Sequence, residues 1–533
     1  MWKGYDPSIL PLATSILSDK TEGGKRFLTA RFNGSFSTDG VSRVYVRAVL
    51  PIGKQSPTVI FAPDAYQSVN SVSIDAYTSA GHGVIVVDYA GERDDDPYYT
   101  IYPRSMEYAN FKPEQLFTLP TDLRFNCWNT WAETLMRAVT FASSLVEVDS
   151  KRIAVVGEGV GSASALKSAS VDERIKCVAT LYTSSFTTNE LSEQDRLTYQ
   201  VAFSKEAYAP LVKVPTLMLV ASNEQDDSID DVFSTYERIP PSTGSLLSVS
   251  ERTSHALAHK QKNNLKNWLH KHLSGEGDFP TPPTFTLTAE ERKLTFNITL
   301  PQGLSEPELF VAPYERAGAL RNWRLYKPTR RGDVFVAKVD VYDVKKPIIA
   351  FVNAVQKGVK GLSVTSNAII KTPGLLGVDE TPITNNRLVY SGEMGKDDWI
   401  VMSDNVKKNM LSVMKGPFGI NGVSSSTGNL STFKIGDPAS SGKNGWILQL
   451  MVYSMEEQDV SFVVTECISD EDKTKYVEFT RAERLYPADN WRTLNLSERD
   501  FKSSYGGQLN WDDAVYLQVK SDSPIAIARV LWV

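Results

Sequence analysis

Between about residues 26 and 275 the chain alternates short apolar runs with stretches of helical period. Thr58-Val59-Ile60-Phe61-Ala62, Gly83-Val84-Ile85-Val86-Val87-Asp88 and Arg152-Ile153-Ala154-Val155-Val156-Gly157 are almost unbroken apolar segments. Such runs suit strands of a parallel sheet covered on both faces. Thr180 to Tyr182, Pro215 to Ala221 and Ser245 to Val249 continue the series, and the period-two run Arg43 to Leu50 predicts an earlier strand beside it. Trp128 to Leu145, Ser162 to Ser170, Ser228 to Arg238 and Leu257 to Leu273 read as helices between them. Strands and helices in alternation predict an α/β domain.

The pattern changes at Phe279-Pro280-Thr281-Pro282-Pro283, a stiff connector. Short alternating strands follow, among them Thr284 to Thr288, Leu294 to Ile298, Val334 to Val339 and Ile348 to Val352, with no helical period. They predict a small β-sandwich of the immunoglobulin kind. After a second break near Lys371-Thr372-Pro373-Gly374, aromatic strands such as Trp446 to Tyr453 and turns rich in Gly, Ser and Asp suit a jelly roll. The expected organisation is therefore an α/β domain at 1–278 followed by two all-β domains at 279–376 and 377–533.

Length and composition agree with this division. At roughly 100–200 residues per domain, 533 residues imply two to four domains. The formal net charge of −6, spread without blocks, argues against a nucleic-acid binder or a polybasic membrane patch. Three cysteines, Cys127, Cys177 and Cys467, are too few for a disulfide framework or a thiolate zinc site. The start of the chain, with Asp6, Pro7 and Pro11, lacks a signal-peptide pattern, and no apolar run is long enough to span a bilayer. The expectation is cytoplasmic synthesis without membrane insertion. No cofactor fingerprint occurs, and His255 with His259 has metal-ligand spacing without the glutamate of a zinc-protease helix. Asp94-Asp95-Asp96 and Asp230-Asp231 read as solvated acidic loops, so no metal is expected.

The segment with most chemistry is Val155-Val156-Gly157-Glu158-Gly159-Val160-Gly161, a buried strand running through a Gly-x-x-x-Gly turn into a helix. That context is a nucleophile elbow, in which a strained backbone lifts Ser, Cys or Asp above the sheet. Here the central residue is Gly159, which has no side chain with which to attack a carbonyl.

With its neighbours the segment resembles the α/β-hydrolase superfamily, in the acetylxylan esterase and dienelactone hydrolase-like branch. Pro57 to Tyr66 resembles the strand and oxyanion loop, with Ala62-Pro63 where the family usually has His-Gly. Val86 to Glu92 is similar to the following strand and turn, and Cys127 to Trp131 to the helix before the elbow. The resemblance implies the order nucleophile, acid, histidine at Gly159, Glu224 and His255, with Asp226 and Asp227 as competitors for the acid. It also implies oxyanion donors at Val160 and at the Ala65 or Tyr66 loop. Glu158 and Ser162 are weaker candidates to supply the missing group.

The last domain, with Trp491, Trp511 and Trp532, resembles galactose-binding-like jelly rolls. Trp511, beside Asp512 and Asp513, is the candidate for an exposed sugar-stacking ring, whereas Trp491 and Trp532 read as core. The leading reading is an esterase-like protein without its serine, acting in binding or assembly, for instance in a virion or surface structure. Its partners would be a carbohydrate or acylated polysaccharide, other proteins, or further copies of itself. The alternative is an active carbohydrate ester hydrolase with an atypical nucleophile, or with water activated by His255 and Glu224. That alternative predicts open polar space above Gly159.

Overall fold

The computed structural model describes residues 2–94, 96–182, 191–224, 229–315, 317–401, 411–470 and 473–533. Strands β1 (Ser15–Glu22), β2 (Lys25–Ser37), β3 (Gly40–Pro51), β4 (Ser56–Ala62), β5 (Gly83–Val87), β6 (Val148–Glu158), β7 (Ile175–Leu181), β8 (Thr216–Ala221) and β9 (Leu246–Ser250) form one sheet. Their order is β1-β2-β3-β5-β4-β6-β7-β8-β9. β1 to β3 and the β3–β5 pair are antiparallel, and every later pairing is parallel.

The unbroken apolar runs follow from this topology, because β5 and β8 are buried along their whole length. Successive β6 residues serve opposite faces: Ile153 and Val155 enter one core, Ala154 and Val156 the other. Helices cover both faces: α1 (Asp75–Ser79), α2 (Cys127–Ser143), α3 (Val160–Val171), α4 (Glu193–Ala202), α5 (Lys205–Tyr208), α6 (Ile229–Arg238) and α7 (Asn264–Ser274). α2 packs its Trp131 and Leu135 on one face and α7 its Trp268 and Leu269 on the other. The Asn126 side chain accepts the Trp128 N–H and starts α2. No helix among the described residues is long and apolar enough to cross a membrane.

Two antiparallel β-sandwiches follow. In the first, Leu294, Phe296 and Ile298 of one sheet face Leu309, Val311, Ala350 and Val352 of the other. In the second, Leu448, Leu450 and Val452 pack against Val460, Phe462 and Val464.

The first sandwich is joined to the α/β sheet through buried polar contacts at the edge strand β9. The Val249 N–H donates to Thr365 Oγ1 (2.8 Å), and its carbonyl accepts from Asn353 Nδ2 and Gln261 Nε2 (both 2.9 Å). Ser248 Oγ and Asn264 Nδ2 donate to the Ser363 carbonyl at 2.9 and 2.7 Å. These bonds satisfy backbone groups that would otherwise be lost on burial.

The helix read over Leu257 to Leu273 is shorter than its pattern and begins only at Asn264. The preceding residues form turns whose groups are spent on docking, since the Ala258 N–H donates to Ser250 Oγ and Gln261 reaches Val249. His255 and His259 are therefore not one turn apart on a helix. Trp511, expected to be exposed, is 0% exposed. A short turn at Trp511–Asp513 leaves Asp512 and Asp513 outside while the ring turns inward against Trp532, its indole N–H on the Trp446 carbonyl (2.9 Å).

Candidate functional site

β6 delivers the chain into the turn before α3 with Gly159 at φ +55° and ψ −123°. This is a conformation in which a residue with a Cβ is strained by about 1–3 kcal/mol, and glycine adopts it freely. Gly161 serves a different need: a Cβ there would overlap the backbone at Ala62 and Pro63 and push α3 away from the end of β4.

The space above Gly159 is taken by Asp64, which the sequence pattern placed only in the oxyanion loop. A Cβ built on Gly159 would fall inside the Asp64 carboxylate, overlapping Oδ2 and lying 2.6 Å from Cγ. Asp64 Oδ2 accepts the Val160 N–H at 3.1 Å, and Oδ1 accepts the Tyr66 N–H at 2.9 Å. Two backbone donors expected to face an oxyanion thus hold a side-chain carboxylate.

The loop is fixed from behind. The Tyr89 hydroxyl donates to the Pro63 carbonyl (2.7 Å), and the Arg93 guanidinium donates to the carbonyls of Ala65 (2.8 Å) and Tyr66 (2.6 Å). Asp88 braces the next turn, accepting N–H groups from Gly91 and Thr100, and burial raises its carboxyl to about 6 despite them.

On the opposite side, Glu224 follows β8 and His255 follows β9. Glu224 is 5% exposed, and its Oε2 accepts the His255 N–H (3.1 Å) while Oε1 lies 3.3 Å from His255 Nδ1. His255 adopts φ +46°, and its ring lies on Tyr182, itself at φ +49°, with centroids 4.4 Å apart. Burial works against the imidazolium. The Glu224 hydrogen bond and the charges of Glu224, Glu158 and Asp64 outweigh it and hold His255 above the usual histidine range.

The first sandwich supports this loop. Trp323 Nε1 donates to the Ser222 carbonyl (3.2 Å), Arg252 Nε to the Trp323 carbonyl (2.7 Å) and Asn223 Nδ2 to the Arg321 carbonyl (2.9 Å). Arg321 is 0% exposed and forms a two-pronged pair with Asp230 at the start of α6 (2.6 and 2.5 Å). Asp230 is thus tied into an ion pair rather than a solvated loop.

Asp64 therefore sits with Gly159, Val160 and Tyr66 at the elbow, and its charge is felt by His255, which Glu224 holds. Ser162 does not join them, because its hydroxyl lies 2.8 Å from the carbonyls of both Gly157 and Leu181 beneath the turn and donates its one proton there. Asp226, Asp227 and Asp95 lie outside the described residues. Sequence reasoning missed the roles of Asp64, Tyr89, Arg93 and Tyr182. The non-glycine Asp64 following an altered Ala62-Pro63 was the available signal.

Chemically, the arrangement keeps an acid–histidine pair able to hold a proton. It lacks a hydroxyl at the elbow and places an anion where negative charge would develop during acyl transfer. No group of three His, Cys, Asp or Glu side chains suited to a metal occurs among the described residues.

Residues 29–236 match the family model of acetyl xylan esterase, a segment that includes Asp64, Gly159 and Glu224 and ends before His255 and both sandwiches. Among solved structures, the acetyl xylan esterase from Paenibacillus sp. R4 is similar at 17% identity, covering 50% of this chain and 91% of that one with a TM-score of 0.42. Acetyl xylan esterase 1 from Thermoanaerobacterium sp. JW/SL YS485 is similar at 14% identity, covering 50% and 89% with a TM-score of 0.35. A glucuronoyl esterase from Solibacter usitatus is similar at 12% identity, covering 50% and 86% with a TM-score of 0.36. No curated protein matches the chain.

Proposed function

From an α/β-hydrolase domain of the acetyl xylan esterase kind, we infer a protein that does not hydrolyse esters by serine chemistry and acts instead in binding or assembly, with acylated carbohydrate as its ligand class. One observation carries this reading: the Asp64 carboxylate occupies both the nucleophile's space at Gly159 and the Val160 N–H. A substrate carbonyl entering there would meet an anion in place of a donor. Loss of one oxyanion donor costs about 10²–10³ in turnover, and loss of the nucleophile leaves only residual catalysis.

The test is hydrolysis of p-nitrophenyl acetate by the full chain beside His255→Ala. Equal, near-background rates support the reading. Turnover that vanishes in His255→Ala overturns it.

The retained His255–Glu224 pair favours a second reading, an acylated-carbohydrate hydrolase in which Asp64 meets the substrate in place of serine. That reading requires turnover lost in both Asp64→Asn and His255→Ala.

A further inference from the structure

At the end of the first sandwich that faces the second lies a cavity of about 250 Å³. Its depth is aliphatic, formed by Leu294, Val311, Val339, Val341 and Ile348, where the two sheets of the first sandwich part. Tyr326 and Tyr342 line its mouth, and Phe433 and Pro438 of the second sandwich supply the facing wall.

Ion pairs and a hydrogen bond frame the mouth. Arg324 Nε pairs with Asp437 of the second sandwich at 3.1 Å, and its guanidinium lies over the Tyr342 ring, 5.5 Å from the centroid. Glu315 pairs with Lys346 and accepts the Tyr476 hydroxyl across the junction at 3.3 Å. Both sandwiches are thus tied together beside the opening.

Charge in the walls is already matched. Arg324 is paired with Asp437, Lys346 with Glu315, and Asp340 with Lys293 at 3.0 Å. Asp343 accepts the N–H groups of Lys345 and Lys346 at 2.8 and 3.1 Å. Asp343 is exposed and keeps its charge in water, so an ion seated deeper would have to break one of the three ion pairs, and the walls favour a neutral ligand.

The depth carries a second instruction. A hydroxyl placed among Leu294, Val311, Val339 and Ile348 would lose its hydrogen bonds to water without replacement, so the group that enters first must be apolar. Tyrosine faces beside polar side chains at the mouth suit a ring with an apolar face and hydroxyl edges. The volume lies just below the roughly 300–1,000 Å³ range of drug-sized pockets, which fits one sugar residue and not an extended chain.

We propose that this cavity binds a single neutral O-acylated pyranose, its acyl group among the aliphatic residues and its ring against Tyr326 and Tyr342. The proposal rests on the reading of the chain as a non-hydrolysing protein for acylated carbohydrate. It moves the contact from Trp511, which is in the core, to the junction of the two sandwiches.

The test uses the full chain with methyl 2,3-di-O-acetyl-β-D-xylopyranoside and methyl β-D-xylopyranoside, by calorimetry and saturation-transfer NMR. The diacetate should bind about tenfold more tightly than the free glycoside, with strongest saturation at its acetyl methyls. Tyr342→Ala should weaken it about tenfold through loss of stacking. Ile348→Trp, which fills the depth, should abolish it, with circular dichroism confirming the fold. Equal binding of both glycosides, absence of binding, or binding unchanged in both variants overturns the proposal. Released acetate is followed in the same samples: release together with cavity-dependent binding refutes the non-catalytic reading and leaves the cavity proposal standing.

Discussion

Placing a serine at residue 159 forces its Cβ into the volume now held by the Asp64 carboxylate. Two effects should add. A side chain at φ +55° costs about 1–3 kcal/mol in backbone strain, and displacing Asp64 from the Val160 N–H forfeits a charge-assisted hydrogen bond of about 1.5–3 kcal/mol. Gly159→Ser should therefore ease local opening of the elbow by about 2.5–6 kcal/mol, the sum of those two contributions. In an Asp64→Ala background only the strain remains, so the same substitution should cost about 1–3 kcal/mol. The difference is the coupling between the two sites. Hydrogen exchange of the peptide spanning 155–165 reads this opening directly and does not require the whole multidomain chain to unfold in one step. Ester turnover gives a second readout: Gly159→Ser alone should gain nothing, whereas the double variant, with its Val160 donor released, should exceed it by about 10². Equal costs of Gly159→Ser in the two backgrounds, or equal turnover of the single and double variants, would refute the assignment of Asp64 as occupant of the site.

Three further outcomes are expected. Because His255 titrates above the usual range in the folded chain, its contribution to stability is complete below the unfolded value of about 6.5 and is lost as pH rises through the folded value. Glu224→Gln should bring the folded value down, as read by NMR titration of the histidine ring, and an unmoved titration would contradict the pairing. Lys167 is 3% exposed, and burial lowers its ammonium to about 7 although the Tyr208 face, 4.2 Å away, favours the charged form. The unfolded chain then binds more protons than the folded one between pH 7 and about 10.4. Lys167→Met should stabilise the chain near neutrality by on the order of a few kcal/mol, a gain that shrinks toward pH 10 in denaturant titrations. A gap independent of pH would argue against the buried amine as its source. Arg321→Ala, which removes the two-pronged pair with Asp230, should destabilise the junction by about 3–5 kcal/mol. Limited proteolysis should then cut between the α/β domain and the first sandwich, and wild-type resistance would count against the pair as a tie.

Much of the α/β sheet was legible because β4, β5, β6 and β8 are apolar on both faces, a pattern that needs no knowledge of the partner strand. β1 escaped notice since it is polar and mostly exposed, held by backbone pairing with β2. β2 does alternate, with Leu28, Ala30 and Phe32 inward, but the polar Thr29 and Arg31 between them break up the apolar run. At the site, the order of Gly159, Glu224 and His255 could be read because strand ends carry them. Asp64 as occupant could not, since its position depends on where the β4 loop folds over a turn some ninety residues later. Trp511 misled for a local reason: two flanking aspartates signalled a surface turn, and the turn itself rotates the ring into the core.

The contacts at β9 change the meaning of the proline connector after residue 278. A chain cut there would keep its elbow and its Glu224–His255 pair, yet it would expose the backbone of β9 that Thr365 and Asn353 now engage. It would also lose the Trp323 and Arg321 props beneath the Glu224 loop. An unpaired sheet edge of that kind is a template for aggregation. The smallest piece of this protein worth expressing for its esterase-like half thus runs well past that half, into the first sandwich. Fusions or library boundaries placed at the connector would report on a different, stickier molecule.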